Sequence, residues 1–409
     1  MGNVRFCWQL LSKLCACAAL VTLLPVAGCA PERIDGAADS LHLVDYGIDG
    51  SSYAAMRNTT PNYVSETLGS SLKIEAQVVL PEKAPTTSLS AVAYGFADRA
   101  DAIAEVLMGK GLESAEVASK EEISFDGSGH AEEVLYEMPD GASTFVGASE
   151  ISFHDATFPD RYVGTGADAP ESDCIAPFEQ EELDGFSSQS AMQWVWDLIF
   201  AMGLKEDDVA SVVAYALPAS KMEVAKDDYV STRLGDYQDM DEDPEGLVSQ
   251  AIEEIKALDA IEYGPEDEMY SIHVHFNVNG VPLASSSDGT RYYNSLGNDS
   301  ILGCYLRAYV GEEGIRWVTG QSLFRGGSDI GGSDNAVIPL DEAVNALAKR
   351  YGSVAFTEPV EIDRIALEYC AVPQLDSETG ATLVPAWVFR NAGDPDYGFR
   401  VNALTAEVI

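Results

Sequence analysis

Apolar and polar residues alternate along much of this chain, and the pattern predicts many strands separated by a few helices. Leu72–Leu80 and Met269–Val278 alternate like half-buried strands, whereas other stretches repeat their apolar residues at helical spacing. The predicted helices are Arg99–Met108, a helix from Ser187 or Ser188 to Gly203, Gly246–Leu258 and Leu340–Tyr351. The predicted strands are Leu72–Leu80, Glu122–Phe125, Glu133–Tyr136, Phe145–Phe153, Val209–Leu217, Met269–Val278, Ile301–Val310, Ile315–Leu323, Ile362–Ala371, Leu383–Phe389 and Phe399–Val408.

The order of these elements predicts an α+β protein. Antiparallel sheets would each be packed by a helix, in helix-then-three-strand units repeated in two halves. An N-terminal α+β domain is expected over residues 66–234 and a C-terminal α+β domain over residues 246–409. Residues 235–245 are acidic and almost free of apolar side chains, which predicts a solvated linker. A second flexible loop is predicted at Arg325–Asn335 because it is rich in Gly, Ser and Asp.

Residues 1–28 have the parts of a secretory signal peptide. Arg5 and Lys13 precede or open a short apolar run, and small residues close it. The closing residues Val26-Ala27-Gly28-Cys29 resemble the lipobox of bacterial lipoproteins. This resemblance implies that Cys29 carries a lipid, that residues 29–65 form the lipidated N-terminus and a tether, and that the protein is anchored at the extracytoplasmic face of the cell membrane. The alternatives are an ordinary signal peptide or one transmembrane helix, although a bilayer takes about 20 apolar residues to cross.

The chain is strongly acidic, since 67 Asp and Glu residues against 24 Lys and Arg residues give a net charge of −43. Such a charge repels phosphate groups and excludes nucleic acid as a partner. It also disfavours a polypeptide that lies flat on anionic lipid, so the lipid on Cys29 is the expected contact with the membrane. Outside the signal peptide and Cys29, three cysteines remain: Cys174, Cys304 and Cys370. One disulfide with a spare thiol and three buried thiols without a disulfide both fit this number.

The familiar catalytic motifs are absent from the sequence. It contains no GxSxG elbow, no P-loop and no HExxH, and the S-x-x-K spacing at Ser70–Lys73 has no KTG triplet with it. We therefore predict no catalytic residue and no cofactor. His273 and His275 are the metal candidates, because residues two apart on a strand face the same side. The alternative is a wet strand face with two ordinary histidines.

The C-terminal 70 residues carry a resemblance to known envelope proteins. Pro385, Trp387 and Phe389 form a proline–aromatic strand, and Asn402, Ala403 and Thr405 form the strand that follows. This order resembles the C-terminal modules of YycH/YycI-type regulators and PepSY-like domains, although Ala406 stands where the family commonly has glycine. The whole chain resembles uncharacterised bacterial lipoproteins built from such units. The resemblance implies binding or regulation at the membrane surface. From the alternation alone, Trp387 is expected to fill the core between sheet and helix.

Three functions fit these observations. The first is a lipid-anchored extracytoplasmic protein that binds a protein or peptide partner, with regulation of an envelope sensor as one role. The second is a receptor for a small molecule or a cell-wall component, which should show a deep apolar pocket with a few polar groups. The third is a hydrolase without a recognised signature, which should show a clustered acid, base or nucleophile. A partner-binding protein should instead show an exposed apolar patch or an open sheet edge.

Overall fold

The computed structural model describes residues 43–69, 72–108, 119–123, 133–162, 165, 179–238, 247–284, 304–331, 337–352, 360–373, 381–392 and 398–409. The predicted signal peptide, Cys29 and Cys174 lie outside these residues. The predicted α+β class is confirmed, because helices pack against two large sheets whose strand pairs are antiparallel with one exception.

Seven α-helices lie in the described residues, and four of them were predicted from the sequence. They are α1 Tyr53–Thr59, α2 Ala100–Met108, α3 Phe158–Arg161, α4 Ser188–Ala201, α5 Ala219–Gln238, α6 Leu247–Asp259 and α7 Leu340–Tyr351. Ser187 caps α4, since its hydroxyl accepts a hydrogen bond from the Ser190 N–H at 3.2 Å. Gly203 follows that helix with φ 81°, a left-handed conformation that favours glycine. Among the described helices, none has both the length and the apolar character needed to span a bilayer.

The strands form two sheets. They are β1 Tyr63–Leu68, β2 Leu72–Val79, β3 Ser88–Ala93, β4 Ser119–Ile123, β5 Glu133–Glu137, β6 Ser143–Val146, β7 Ile151–His154, β8 Val209–Leu217, β9 Met269–Val278, β10 Val281–Pro282, β11 Tyr305–Gly311, β12 Gly314–Gln321, β13 Phe324–Gly331, β14 Val360–Pro373, β15 Ala381–Asn391 and β16 Gly398–Asn402. Sheet I has the order β1-β2-β14-β15-β3-β13, with β16 also beside β15. Sheet II has the order β10-β9-β11-β12-β7-β6-β5-β4, with β8 also beside β9.

Each sheet buries one face under helices. On sheet I, α7 and α1 cover a core that includes Ile74, Leu367, Trp387 and Phe389. On sheet II, α2 and α4 cover a larger core, to which β9 contributes its alternate residues Ile272, Val274 and Phe276. The two sheets meet where the chain leaves β10, since Ala284 N–H donates to the Tyr369 carbonyl of β14 at 2.7 Å. The residues on the opposite face of β9 do not contribute to this core.

The sheets do not follow the predicted division at residues 235–245. Sheet I joins β1, β2 and β3 to β13–β16, and sheet II joins β4–β8 to β9–β12. Strand β2 pairs in parallel with β14, which brings Leu72 beside Val360. A β1–β2 hairpin alone cannot bury its apolar face, so the pairing with β14 supplies the cover that leaves Ile74 fully buried. Sequence patterns identify the strands here, but they carry no information on this long-range pairing.

Part of the predicted tether is folded. Residues 43–65 include α1 and the first residues of β1, and Val44, Met56 and Val64 are buried in the core of sheet I. Val44 is fixed by a reciprocal pair of hydrogen bonds, because its N–H and C=O both bond the Asn345 side chain at 2.9 Å. The apolar residues of this segment are widely spaced among polar ones, so hydrophobic periodicity does not predict that they are buried.

Two predicted flexible segments are also partly regular. Helix α5 includes residues 235–238 of the predicted linker, and residues 239–246 lie outside the described residues. Residues 325–331 of the predicted loop belong to β13, which pairs with β3 through two register shifts. The pattern missed α5 because its buried residues Met222 and Ala225 are surrounded by charged ones, including the ion pair of buried Lys226 with Glu223 at 2.6 Å.

Trp387 is a core residue, as the alternation predicts. Its side chain is fully buried and its Nε1–H donates to the Ile338 carbonyl at 3.0 Å. Pro385 stands inside β15 without a register shift. On the side away from β14, Pro385 falls between the residues that pair with β3 and those that pair with β16. Its missing N–H therefore costs no ladder bond.

Candidate functional site

Strand β9 places His273 and His275 on the same face, as the sequence predicts. Both imidazoles are partly exposed, whereas the alternate residues of the strand are buried. His273 lies directly opposite Arg307 of β11 and, on its other side, opposite Val213 of β8. Directly opposed residues of antiparallel strands have Cβ atoms about 4.5–5.5 Å apart. We call His273, His275 and Arg307 the His–Arg cluster.

Arg307 is the buried charge of the cluster. It is 6% exposed, and its Nε has no hydrogen-bond partner. Within the described chain, no carboxylate forms an ion pair with it, although the protein has 67 acidic residues. A buried charge without a partner is unfavourable, and native structures seldom keep one without a reason.

Sheet I contributes a second, partly buried guanidinium nearby. Arg390 contacts Glu368 through two hydrogen bonds, with Nη1–Oε1 at 3.0 Å and Nη2–Oε2 at 2.6 Å. Glu368 is 4% exposed, so this bidentate pair is enclosed. Both charges are close enough to His275 to act on its pKa. The two sheets therefore bring His275, Glu368 and Arg390 together from β9, β14 and β15.

The environment keeps both imidazoles neutral at pH 7. Burial lowers the pKa of His275 to about 4, and Arg390 adds to this effect while Glu368 partly opposes it. Burial also holds the pKa of His273 well below its usual value, and positive Arg307 lowers that pKa further. A neutral imidazole carries one N–H donor and one acceptor nitrogen. The cluster thus combines one guanidinium with two neutral rings.

A metal ion fits this arrangement poorly. Among the described residues, no three His, Cys, Asp or Glu side chains form a group that could hold an ion. The nearest charges at His273 and His275 include Arg307 and Arg390, which repel a cation. The chemistry of the donors, N–H groups around a positive charge, suits an oxyanion instead.

The two described cysteines lie in buried positions. Cys304 and Cys370 are thiols and not a disulfide. Burial raises the pKa of Cys370 to about 11 and raises that of Cys304 further, with Cys370 adding to the effect on Cys304. Neither thiol is therefore ionised at pH 7, which makes both of them poor nucleophiles.

A serine–histidine contact occurs on sheet II. Ser143 Oγ lies 2.8 Å from His154 Nε2, and these residues are direct neighbours on β6 and β7. A catalytic serine needs a base that a third group orients. Here His154 Nδ1 lies 3.2 Å from a backbone carbonyl, and the Asp155 carboxylate is bonded to Arg316 at 2.9 Å. The contact supports β6–β7 pairing and lacks the carboxylate of a triad.

A polar network of another kind joins α3 to the segment before β9. Arg161 bonds both oxygens of Asp267, at 2.6 and 2.7 Å, and Tyr162 donates to Asp267 at 2.9 Å. Tyr263 donates to the Arg161 carbonyl at 2.7 Å. Each of these side chains has a partner within the fold, so the network fixes the fold locally.

An open depression of about 610 Å³ lies along α7. Asp341, Asn345, Lys349 and Arg350 contribute to its lining. Its charges are mixed and it lies at the surface of one helix, unlike the deep apolar pocket expected of a small-molecule receptor. It adds no support for that function.

The sequence analysis missed Arg307, although its context contains a clue. The stretch Tyr305–Val310 reads YLRAYV, so one arginine stands among apolar residues of a strand. Alternation places it with Tyr305 and Tyr309 on one face. An arginine on a strand can point to solvent or to a second sheet, and the pattern alone does not distinguish these cases.

Comparisons with known proteins bear on the fold. No protein-family model matches the chain, and no curated protein matches it either. Among solved structures, it is similar to an uncharacterised protein from Eubacterium rectale ATCC 33656, whose crystal structure was determined at 1.45 Å resolution. The TM-score is 0.56 and the identity 14%, over 90% of this chain and 99% of that chain. At this identity the similarity concerns the fold alone.

Proposed function

We propose that this protein is anchored by a lipid on Cys29 at the extracytoplasmic membrane face and binds an extended segment of a protein or peptide partner along β1. Regulation of an envelope sensor is the role that the C-terminal resemblance implies for such a partner. The observation that carries the proposal is the open outer edge of sheet I at β1. Extended peptides add to such edges through backbone hydrogen bonds.

The backbone geometry of β1 supports this proposal. Strand β1 pairs with β2 over six consecutive residue pairs without a register shift, and no other described strand pairs with it. The Val78 N–H donates to the Asn62 carbonyl at 3.0 Å, which makes alternate residues from 62 onward the bonded ones. Tyr63, Ser65 and Thr67 therefore direct their N–H and C=O groups away from β2.

The side chains of β1 do not protect this edge. Val64 and Leu68 are buried and hold the strand on the core, while Tyr63 is 52% exposed. Edge strands are commonly protected by lysine, proline or bulges, and β1 has none of these. At the opposite edge of sheet I, β13 has two register shifts against β3. The two edges thus differ in how well they can accept another strand.

The net negative charge of the protein restricts which partners can bind along β1. The net charge of −43 disfavours a second copy of this chain and favours a neutral or basic segment. Near the edge, Glu75 accepts hydrogen bonds from Tyr63 at 2.6 Å and Ser65 at 3.1 Å, so the strand carries an ordered acidic face. A chain from Cys29 to Leu43 spans at most about 50 Å, which keeps β1 within reach of membrane proteins.

Site-specific photocrosslinking in cells tests the binding edge. A photoreactive phenylalanine replaces Tyr63 in one version and Ile330, an exposed residue of β13, in the other. We expect a defined partner adduct from position 63 only. Adding Ser65→Pro removes one outward N–H without breaking a β1–β2 bond, and it should abolish the adduct.

Ser65→Ala is the matched control, because it loses the hydroxyl and keeps the backbone N–H. The adduct should survive Ser65→Ala, and thermal melting should show that both variants are folded. Equal adducts from positions 63 and 330, or an adduct that persists in the folded proline variant, would mean that β1 is not the binding edge.

Membrane fractionation tests the anchor separately. Cys29→Ala should release the protein or leave its signal peptide uncut, because stable anchoring takes two or more acyl chains. If the alanine variant still fractionates with membranes at the normal mature mass, Cys29 is not the lipid attachment site.

A further inference from the structure

We propose that the His–Arg cluster is a carboxylate-binding site, in which Arg307 holds the carboxylate and His273 and His275 flank it. This site lies on sheet II, apart from the β1 edge of sheet I, and the proposal stands independently of partner binding there. The ligand chemistry is one carboxylate group, which a small organic acid or the C-terminus of a peptide can supply.

Arg307 is buried without a counter-ion from the described part of the chain. Three other guanidinium groups form short ion pairs with carboxylates. Arg390 has Glu368 at 2.6 Å, Arg161 has Asp267 at 2.6 Å and Arg316 has Asp155 at 2.9 Å. Arg307 is 6% exposed, its Nε has no hydrogen-bond partner, and within the described chain it forms no ion pair. An anion from outside the chain would complete this position as Glu368 completes that of Arg390.

The geometry of the cluster supports the same conclusion. Arg307, His273 and Val213 are direct neighbours on three adjacent strands, so their side chains share one face of sheet II. Ser271 Oγ lies 3.0 Å from His273 Nε2, which orients that ring. The edge of Tyr215 packs on the same ring, with centroids 5.0 Å apart. The imidazoles are partly exposed while Arg307 is not, so solvent reaches the cluster beside the rings.

The donor groups indicate the kind of anion. A guanidinium presents parallel N–H donors that match the two oxygens of a carboxylate. One positive charge with two neutral rings balances one negative charge, whereas a phosphate dianion would bring an excess.

Thermal unfolding of the full lipidated chain in detergent tests this site. The probes are acetate, inorganic phosphate and chloride at constant ionic strength and pH 7. We expect acetate to raise the melting temperature of the native protein more than chloride or phosphate does. Arg307→Met should weaken acetate binding about tenfold to a hundredfold, as for the loss of hydrogen bonds to a charged group. Arg307→Lys should recover part of the binding, since it keeps the charge but not the fork.

Arg325→Met, at an exposed arginine of β13, is the matched control and should bind acetate like the native protein. A second arm compares an N-acetylated dipeptide acid with its C-terminal amide, and stabilisation by the acid only would identify a peptide terminus as a ligand. Equal acetate stabilisation of the native protein and Arg307→Met would overturn the proposal. A preference for phosphate, or equal effects of acetate and chloride, would overturn the carboxylate assignment.

Discussion

Arg390 and Arg307 occupy comparable positions on the two sheets, but their surroundings differ in one respect. Both are enclosed, and both act on nearby histidines of β9. Arg390 contacts the Glu368 carboxylate through two nitrogens, whereas no described carboxylate pairs with Arg307. Charge pairing inside the fold explains the first arginine as a structural element. Burial of the Arg307 charge is unfavourable, and no carboxylate of the described fold compensates for it. Buried charges without a partner are commonly functional.

The largest expected effect comes from breaking the completed pair. Glu368→Leu removes the carboxylate that neutralises Arg390, and it should destabilise the protein by about 3–5 kcal/mol. The double variant with Arg390→Met replaces both charges by apolar groups and should recover most of that loss. Urea unfolding measures both values. If Glu368→Leu is as stable as the native protein, the Glu368 carboxylate does not stabilise Arg390. The proposed difference between Arg390 and Arg307 would then be wrong.

A smaller effect is expected from pH, since His275 is partly buried and lies near Arg390, Glu368, Arg364 and Arg307, all of which act on its pKa. Burial lowers the pKa of this histidine to about 4, below the 6.5 of an unfolded histidine. The unfolded chain therefore binds more protons between these values, and stability should fall as pH decreases from 6.5 to 4. The contribution of His275 is on the order of 3 kcal/mol.

Comparison with His275→Gln isolates this contribution, because the many carboxylates titrate in both proteins. Unfolding by urea at pH 7 and at pH 4.5 should show a larger loss of stability in the native protein than in the variant. Identical losses in the two proteins would show that His275 titrates normally in the fold.

The smallest effect has the opposite sign. Arg307→Met removes a buried charge while keeping most of the apolar stem, so it should stabilise the protein in anion-free buffer by about 1–3 kcal/mol. Arg325→Met, at an exposed position, should change the stability by less than about 0.5 kcal/mol. Urea unfolding without acetate measures both. A loss of stability in Arg307→Met would mean that the native fold already satisfies this arginine.

The sequence predicted local elements well and long-range organisation poorly. Met269–Val278 and Leu340–Tyr351 have the predicted bounds, because alternation and helical spacing are properties of the segments themselves. The sequence did not predict that each sheet combines strands from both halves of the chain. The pairing of β2 with β14 depends on the rest of the sheet and not on the pattern of either strand. Residues 43–65 were read as a tether, since α1 and β1 gain their stability from packing rather than from their own pattern.

The sequence alone predicted only part of the candidate site. The two histidines of β9 could be placed on one face from their spacing alone. Arg307 could not be assigned to them, because the register between β9 and β11 sets which residues become neighbours. The open edge at β1 was likewise invisible, since being an edge is a property of the whole sheet and not of one strand.

The parallel pairing of β2 with β14 also bears on how the molecule acquires its shape. Residue 72 pairs with residue 360, so sheet I cannot form completely until most of the polypeptide has been synthesised. Contacts between such distant residues slow folding, because the intervening loop must be ordered first. During that interval both edges of the β1–β2 hairpin are exposed to wrong strands. The large negative charge of the chain then has a second consequence. It makes incompletely folded copies repel one another, which disfavours their association.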